Sequence, residues 1–217
     1  MMDMVNTLPA TWVLAPEVCF TTNDDLMYVQ QAQQGNLDAY NELVTRYQDQ
    51  VYRQAFWILR DEQAAEDAAQ EAFCRGFVKI HTFNGQSFRA WILRIATNYC
   101  FDQMRWKKCH PLFSLEVFSK ETDEENENTS RMFDPQPTPE QAVEQAELTQ
   151  SVINCLLNLP VEYRIPIMLI DIEELSYQEA ADVMGMRLGS FKSRVFRARA
   201  RLLEAIKRIP DLDLMPA

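Results

Sequence analysis

With 217 residues, 47% of them hydrophobic, the chain can bury one large core or two small ones and is not a disordered tail. A formal net charge of −11 and a pI near 4.7 argue against a uniformly basic binder of nucleic acid. No apolar run approaches the ~20 residues of a membrane span, and the N-terminus lacks the basic and apolar blocks of a secretory signal, so a cytoplasmic protein without membrane insertion is expected. Five cysteines, Cys19, Cys74, Cys100, Cys109 and Cys155, are scattered without a CxxC pair and suggest neither a disulfide framework nor a zinc module. Few glycines and abundant Ala, Leu, Glu, Gln and Arg point to an all-α chain.

Residues 1–23 hold Pro9 and Pro16 with little periodicity and read as a flexible leader, although Trp12, Val13, Leu14 and Phe20 give it apolar material for docking. From Asp24 to Lys108 the helical period persists, broken at Gly35-Asn36, Arg60-Asp61 and Asn84-Gly85-Gln86-Ser87, which makes one helical domain over 24–108. Residues 109–138 turn to Pro, Asn, Thr, Ser and acids, with Glu121, Asp123, Glu124, Glu125 and Glu127 close together. Such a stretch cannot bury enough surface to offset chain entropy, so it reads as an acidic linker. Helical pattern returns at Glu140, and a second small domain is expected over 139–210, followed by a tail at 211–217. Pro166 lies inside the helix that Pro160 should open, and would cost that helix a backbone bond and bend it.

The second domain carries the sharpest local signal. Ser176 followed by Glu179 is a capping box that starts a helix at Tyr177, and Gly185 suits a left-handed cap at its end. A second helix begins near Leu188, so two short helices meet at a glycine turn, the mark of a helix-turn-helix. In the second helix Phe191, Val195, Ala198 and Leu202 form an apolar stripe. Ser190, Arg194, Arg197 and Arg201 lie on one flank, Lys192 and Arg199 on the other. From Arg187 to Arg208 only Glu204 opposes the cations. The acidic average is therefore misleading, because charge is segregated. Such a helix can bury one side and offer cations and a hydroxyl to a major groove, where Arg bonds guanine bidentately and Lys acts as a point charge on phosphate.

The first domain makes the reading specific. Its run Asp61-Glu62-Gln63-Ala64-Ala65-Glu66-Asp67-Ala68-Ala69-Gln70-Glu71-Ala72-Phe73 is followed by Phe88-Arg89-Ala90-Trp91-Ile92-Leu93-Arg94-Ile95-Ala96-Thr97-Asn98, then Asp102 and Arg105. This resembles sigma region 2 of the extracytoplasmic-function (ECF, group 4) sigma factors of bacterial RNA polymerase, within the sigma-70 family. Leu159-Pro160, Leu175-Ser176-Tyr177 and Gly189-Ser190-Phe191-Lys192-Ser193-Arg194 resemble their sigma region 4. The resemblance implies a promoter-specificity subunit that catalyses nothing and needs no cofactor or metal. Its implied partners are core RNA polymerase, through the β′ clamp helices and the β flap, promoter DNA, and an anti-sigma factor.

Roles follow residue by residue as implications of the resemblance. Asp61, Glu66, Asp67, Gln70 and Glu71 fall on the helix that meets the β′ clamp. Asn84, Ser87, Phe88, Arg89, Arg94, Asn98, Arg105, Lys107 and Lys108 fall where the −10 element is opened and held, by stacking, by polar groups that read an extruded base and by cations on phosphate. Phe88 and Trp91 fit a hydrophobic core equally well. Arg187, Ser190, Lys192, Ser193, Arg194 and Arg197 fall on the surface that reads the −35 element, and the acidic linker is expected to run toward the RNA exit channel. Arg187 departs from the small residue or proline usual in the family at that helix start. Against these stand a stand-alone helix-turn-helix regulator, which leaves the first domain without a purpose, and an enzyme. His81 and His110 are the only histidines, and neither sits at a spacing that completes a catalytic or metal set.

Overall fold

The computed structural model describes residues 22–85, 87–109 and 139–208, with side chains from 24 and 149 onward in the first and last of these stretches. Most of the expected leader, Gln86, the linker beyond Cys109, His110 and the tail lie outside the described residues. Within them the fold is all-α: α1 (Thr22–Gln33), α2 (Leu37–Leu59), α3 (Glu62–Lys79), α4 (Phe88–Cys109), α5 (Pro139–Asn158), α6 (Val161–Ile167), α7 (Tyr177–Val183) and α8 (Leu188–Ile206).

Local chemistry places the breaks. Gly35 takes φ 93°, and Asn36 then caps α2 by accepting from the amides of Asp38 and Ala39. At the far end Arg60 turns left-handed at φ 56°, its amide donating to the Phe56 carbonyl, and Asp61 caps α3 through the Ala64 amide at 2.8 Å. That pair lets two long helices meet with almost no loop.

Helices α2, α3 and α4 pack around Leu43, Val51, Ala55 and Ile58 of α2, Ala65, Ala68, Ala72 and Phe73 of α3, and Phe88, Ile92, Leu93 and Ala96 of α4. Small residues on α3 permit the close approach. Gly76 is the extreme: a Cβ there would lie 2.7 Å from Tyr40 Oη and 2.9 Å from Ile92 Cδ1. The room it leaves lets the Tyr40 hydroxyl donate to the Phe73 carbonyl at 2.6 Å. Buried polar groups are mostly paired, as burial requires: Tyr47 donates to Asp25, and Gln54 donates to Thr97, whose hydroxyl donates to the Leu93 carbonyl.

The second half centres on α6, α7 and α8, with Ile165, Met168, Leu169, Ala180, Ala181, Phe191, Val195 and Ala198 in its core. Pro160 caps α6, and Pro166 sits inside it as the sequence indicates. The helix continues past Pro166 and opens into a π-turn over Met168–Ile172, closed by the Glu173 amide on the Met168 carbonyl at 2.8 Å. A wider turn accommodates a helix that has lost an amide donor. Glu174 then takes φ 48° and ends the element.

The halves touch. Helix α7 packs on α4 and α6 on α2. Glu173, only 1% exposed, accepts from Arg53 Nε at 2.8 Å and from Arg89 Nη2 at 3.1 Å. Arg60 Nη1 also reaches across, to the Leu157 carbonyl.

Candidate nucleic-acid interface

The helix-turn-helix forms as its sequence dictates. Ser176 Oγ accepts from the Glu179 amide at 3.2 Å, while the Glu179 carboxylate accepts from the Ser176 amide at 3.1 Å and from its hydroxyl at 2.7 Å. Burial works against that carboxylate, but the Ser176 hydrogen bonds prevail and hold Glu179 below the ordinary carboxylate range. Gly185 takes φ 62°, and α8 starts after Arg187.

Of the −35 candidates, Arg187, Ser190, Lys192, Ser193 and Arg197 are exposed and Arg194 is half-buried. Phe191, Val195 and Ala198 are buried beneath them, so the core stripe forms, with Leu202 half-buried at its end. The flanking cations divide further. Arg199 donates to the Asp171 carboxylate, and Arg201 lies over the Tyr163 ring at 4.2 Å. Both serve the domain's own packing. Of the cations in the first half of α8 and at its cap, Arg187, Lys192 and Arg197 are the most open to a ligand. One exposed apolar side chain joins them: Phe196 is 76% exposed on the outward side of the same helix.

Helix α4 carries the −10 candidates. Arg94, Asn98, Arg105, Lys107 and Lys108 are exposed along it, with Asn84 exposed before it. Arg105 pairs with Asp102 at 2.8 Å. Ser87 caps the helix by accepting from the Ala90 amide. Phe88 is 1% exposed, its ring packed against Phe83, Trp91 and Tyr47, so here it is a core ring rather than an open stacking platform. Trp91 is half-buried against Phe83. Arg89 is engaged by Gln50 Oε1 at 2.9 Å and by Glu173. Trp106, which sequence reasoning passed over, is half-exposed among Arg105, Lys107 and Lys108.

The acidic candidates share one helix. Asp61 is exposed at the cap of α3, Glu66, Asp67 and Gln70 are exposed along it, and Glu71 is half-buried and paired with Arg75. Ala65, Ala68, Ala69 and Ala72 hold the opposite face in the core. Among the described residues no cluster of His, Cys, Asp and Glu could hold a metal ion, and no helix is long and apolar enough to cross a membrane.

An all-helical pair of units, one exposing an acidic helix beside a basic one and the other a helix-turn-helix with a cationic second helix, defines a bipartite DNA-binding protein. Comparison supplies the family. Residues 43–108 match the Sigma-70 region 2 family and residues 149–202 match Sigma-70, region 4. The ECF RNA polymerase sigma factor SigW of Bacillus subtilis is 33% identical over 180 residues, covering 82% of this chain and 95% of that one. The chain belongs to the ECF sigma factors of the sigma-70 family, the subunits that direct RNA polymerase to promoters. Among solved structures, that of CnrH in complex with the cytosolic domain of CnrY aligns with TM-score 0.58 and 25% identity, covering 85% of this chain and 97% of that one. The sigma factor RpoE in complex with the anti-sigma factor NepR from Bartonella quintana shares the fold, with TM-score 0.59 and 24% identity over 80% of this chain and 99% of that one.

Proposed function

We propose that the unit built on α1 to α4 binds the β′ clamp of core RNA polymerase through Asp61, Glu66, Asp67, Gln70 and Glu71 and holds the opened −10 strand along α4. In the same reading the unit built on α5 to α8 reads the −35 element with the start of α8 and meets the β flap. The protein acts in the cytoplasm without catalysis of its own, and an anti-sigma factor holds it off the polymerase. The observation that carries this reading is the pairing, in one chain, of a capped helix-turn-helix whose Arg187, Ser190, Lys192, Ser193 and Arg197 are free of the core with an α3 whose acids face outward.

The division of labour follows from charge. The acids of α3 suit a basic partner surface and set its orientation and on-rate. The cations of α4 and α8 suit phosphate, and the N-terminal turn of α8 is the part of a recognition helix that meets base edges. Run-off transcription with purified core enzyme on genomic fragments tests the whole: promoter-specific transcripts above those of core alone are expected, and none would overturn the reading.

A further inference from the structure

The interface between the halves places a carboxylate where two guanidiniums converge. Arg53 of α2 and Arg89 of α4 each take one oxygen of Glu173, at 2.8 and 3.1 Å, and Arg89 Nη2 also donates to the Glu173 carbonyl at 2.6 Å. The arginine side chains are 16% and 24% exposed and the Glu173 side chain 1%. Gln50 fixes the Arg89 guanidinium from its other edge. A fork of N–H donors around one oxyanion is geometry that phosphate satisfies as well as carboxylate. A second acid of the same half, Glu179, lies close enough to feel the charge of Arg89, near the Ser87 that caps α4. The helix-turn-helix half thus covers the start of α4 with the Glu173 carboxylate, while Arg187, Lys192 and Arg197 stay exposed.

From this we infer that Arg53 and Arg89 form a binding site for a phosphate of the promoter single strand, and that Glu173 occupies the site as an internal stand-in. The inference rests on the assignment of α4 to the opened strand. It adds Arg53 to the strand-binding residues, and it makes the closed arrangement and strand binding mutually exclusive. The two anions compete for the same donors. Desolvation offsets much of a buried ion pair's attraction, so the contact specifies the closed geometry without locking it irreversibly. The competition is selective, because Arg187, Lys192 and Arg197 remain exposed while Arg53 and Arg89 are taken. Such a chain can engage duplex DNA through α8 before its strand-holding surface is released.

The test uses the full chain and a fluorescein-labelled single-stranded DNA of mixed sequence, read by fluorescence anisotropy, with compactness read by small-angle X-ray scattering. Glu173→Gln should expand the particle and tighten strand binding by about tenfold, the factor by which a mostly closed population masks a site. Adding Arg53→Ala to that variant should remove most of the gain. Unchanged affinity and size in a Glu173→Gln protein with native helix content would overturn the inference. Because an altered interface can unfold, the wild-type chain supplies a second measurement: amide exchange over residues 168–175 should rise when the strand is added, and unchanged protection with strand bound would overturn it equally. If Arg94→Ala weakens strand binding while Glu173→Gln changes nothing, the internal stand-in fails and the promoter reading survives. If the strand binds neither the wild type nor Glu173→Gln, both fail.

Discussion

Arg60 and Arg164 share one acceptor, the Nη1 of each donating to the Leu157 carbonyl at 3.1 and 2.7 Å. Arg164 is 4% exposed, and its Nε has no partner among the described residues. Burial first, and the Arg60 charge second, pull its pKa down from the ordinary guanidinium range to about 10. The folded state therefore carries an unfavourable charge at neutral pH, relieved as pH rises from about 10 toward the ordinary guanidinium value. Arg60 is also left-handed without being glycine. Arg60→Gly removes both the like charge and the backbone strain, at the loss of one partly buried hydrogen bond. Urea denaturation at neutral pH should show a gain of about 1 kcal/mol; a loss would mean that the shared carbonyl contact outweighs both.

Cys100 gives the opposite slope. It is fully buried on α4, and burial pushes its thiol from 9.0 up to about 12. Its contribution is intact below pH 9 and declines as pH rises from there toward 12, because the unfolded thiol ionises first. Replacing Cys100 with Ala should flatten the fall in unfolding free energy above pH 9 by about 1.4 kcal/mol per pH unit. Identical slopes for the two proteins would show that the thiol ionises in the fold.

The capping box starts α7, one of the two shortest α-helices of the second unit. Ser176→Ala removes the hydroxyl that caps α7 and half of the reciprocal pair, at a cost of about 1–2 kcal/mol. Glu179 sits below its ordinary range, so the box is intact above that range and is lost as pH falls through the folded value. In thermal melts the gap between wild type and Ser176→Ala should narrow in acid. A constant gap would assign the effect to the hydroxyl alone.

Two arginines four residues apart on α8 should behave differently. Arg197 is exposed and Arg201 lies over Tyr163. Arg197→Ala should weaken duplex promoter binding by about 1–3 kcal/mol if its contact reads a base. Arg201→Ala should cost about 0.5–1 kcal/mol of stability and leave the DNA affinity of the folded protein nearly unchanged. Equal losses of affinity would displace the proposed −35 surface along the helix.

Asp67→Lys reverses an exposed charge on α3, whose opposite face of Ala65, Ala68, Ala69 and Ala72 stays in the core. Core-polymerase pull-down should fall while helix content and melting temperature hold. Retention at the wild-type level would remove Asp67 from the polymerase-binding face.

What could be read in the sequence is what short-range chemistry controls. Asn36, Asp61, Ser176 with Glu179, and Gly185 each place a helix end through atoms within a few residues, and all four do so as their types predict. Segregated charge on α3 and α8 was equally visible, because helical period alone sorts those faces. Fold-level contacts were not. Arg199 and Arg201 count as free cations until Asp171 and Tyr163 are brought beside them. Phe88 and Trp91 fit a core or a stacking surface alike, since both uses need an aromatic ring at that period. Glu173 bears no local mark, as it matters only through Arg53 and Arg89 of the other half.

The π-turn over Met168–Ile172 makes that last contact sensitive to counting rather than to chemistry. Its wide turn holds one residue more than an α-turn would, and Glu173 sits directly after it. Deleting a single residue there would swing the following backbone by about 100°, the rotation of one helical step, and carry the carboxylate away from both arginines with every side chain of the interface still present. Relatives that differ by one residue in this turn would share the helices, the charges and the core, yet differ in whether the two halves can shut on each other. Segment length, as much as residue identity, is then a heritable setting of the resting state.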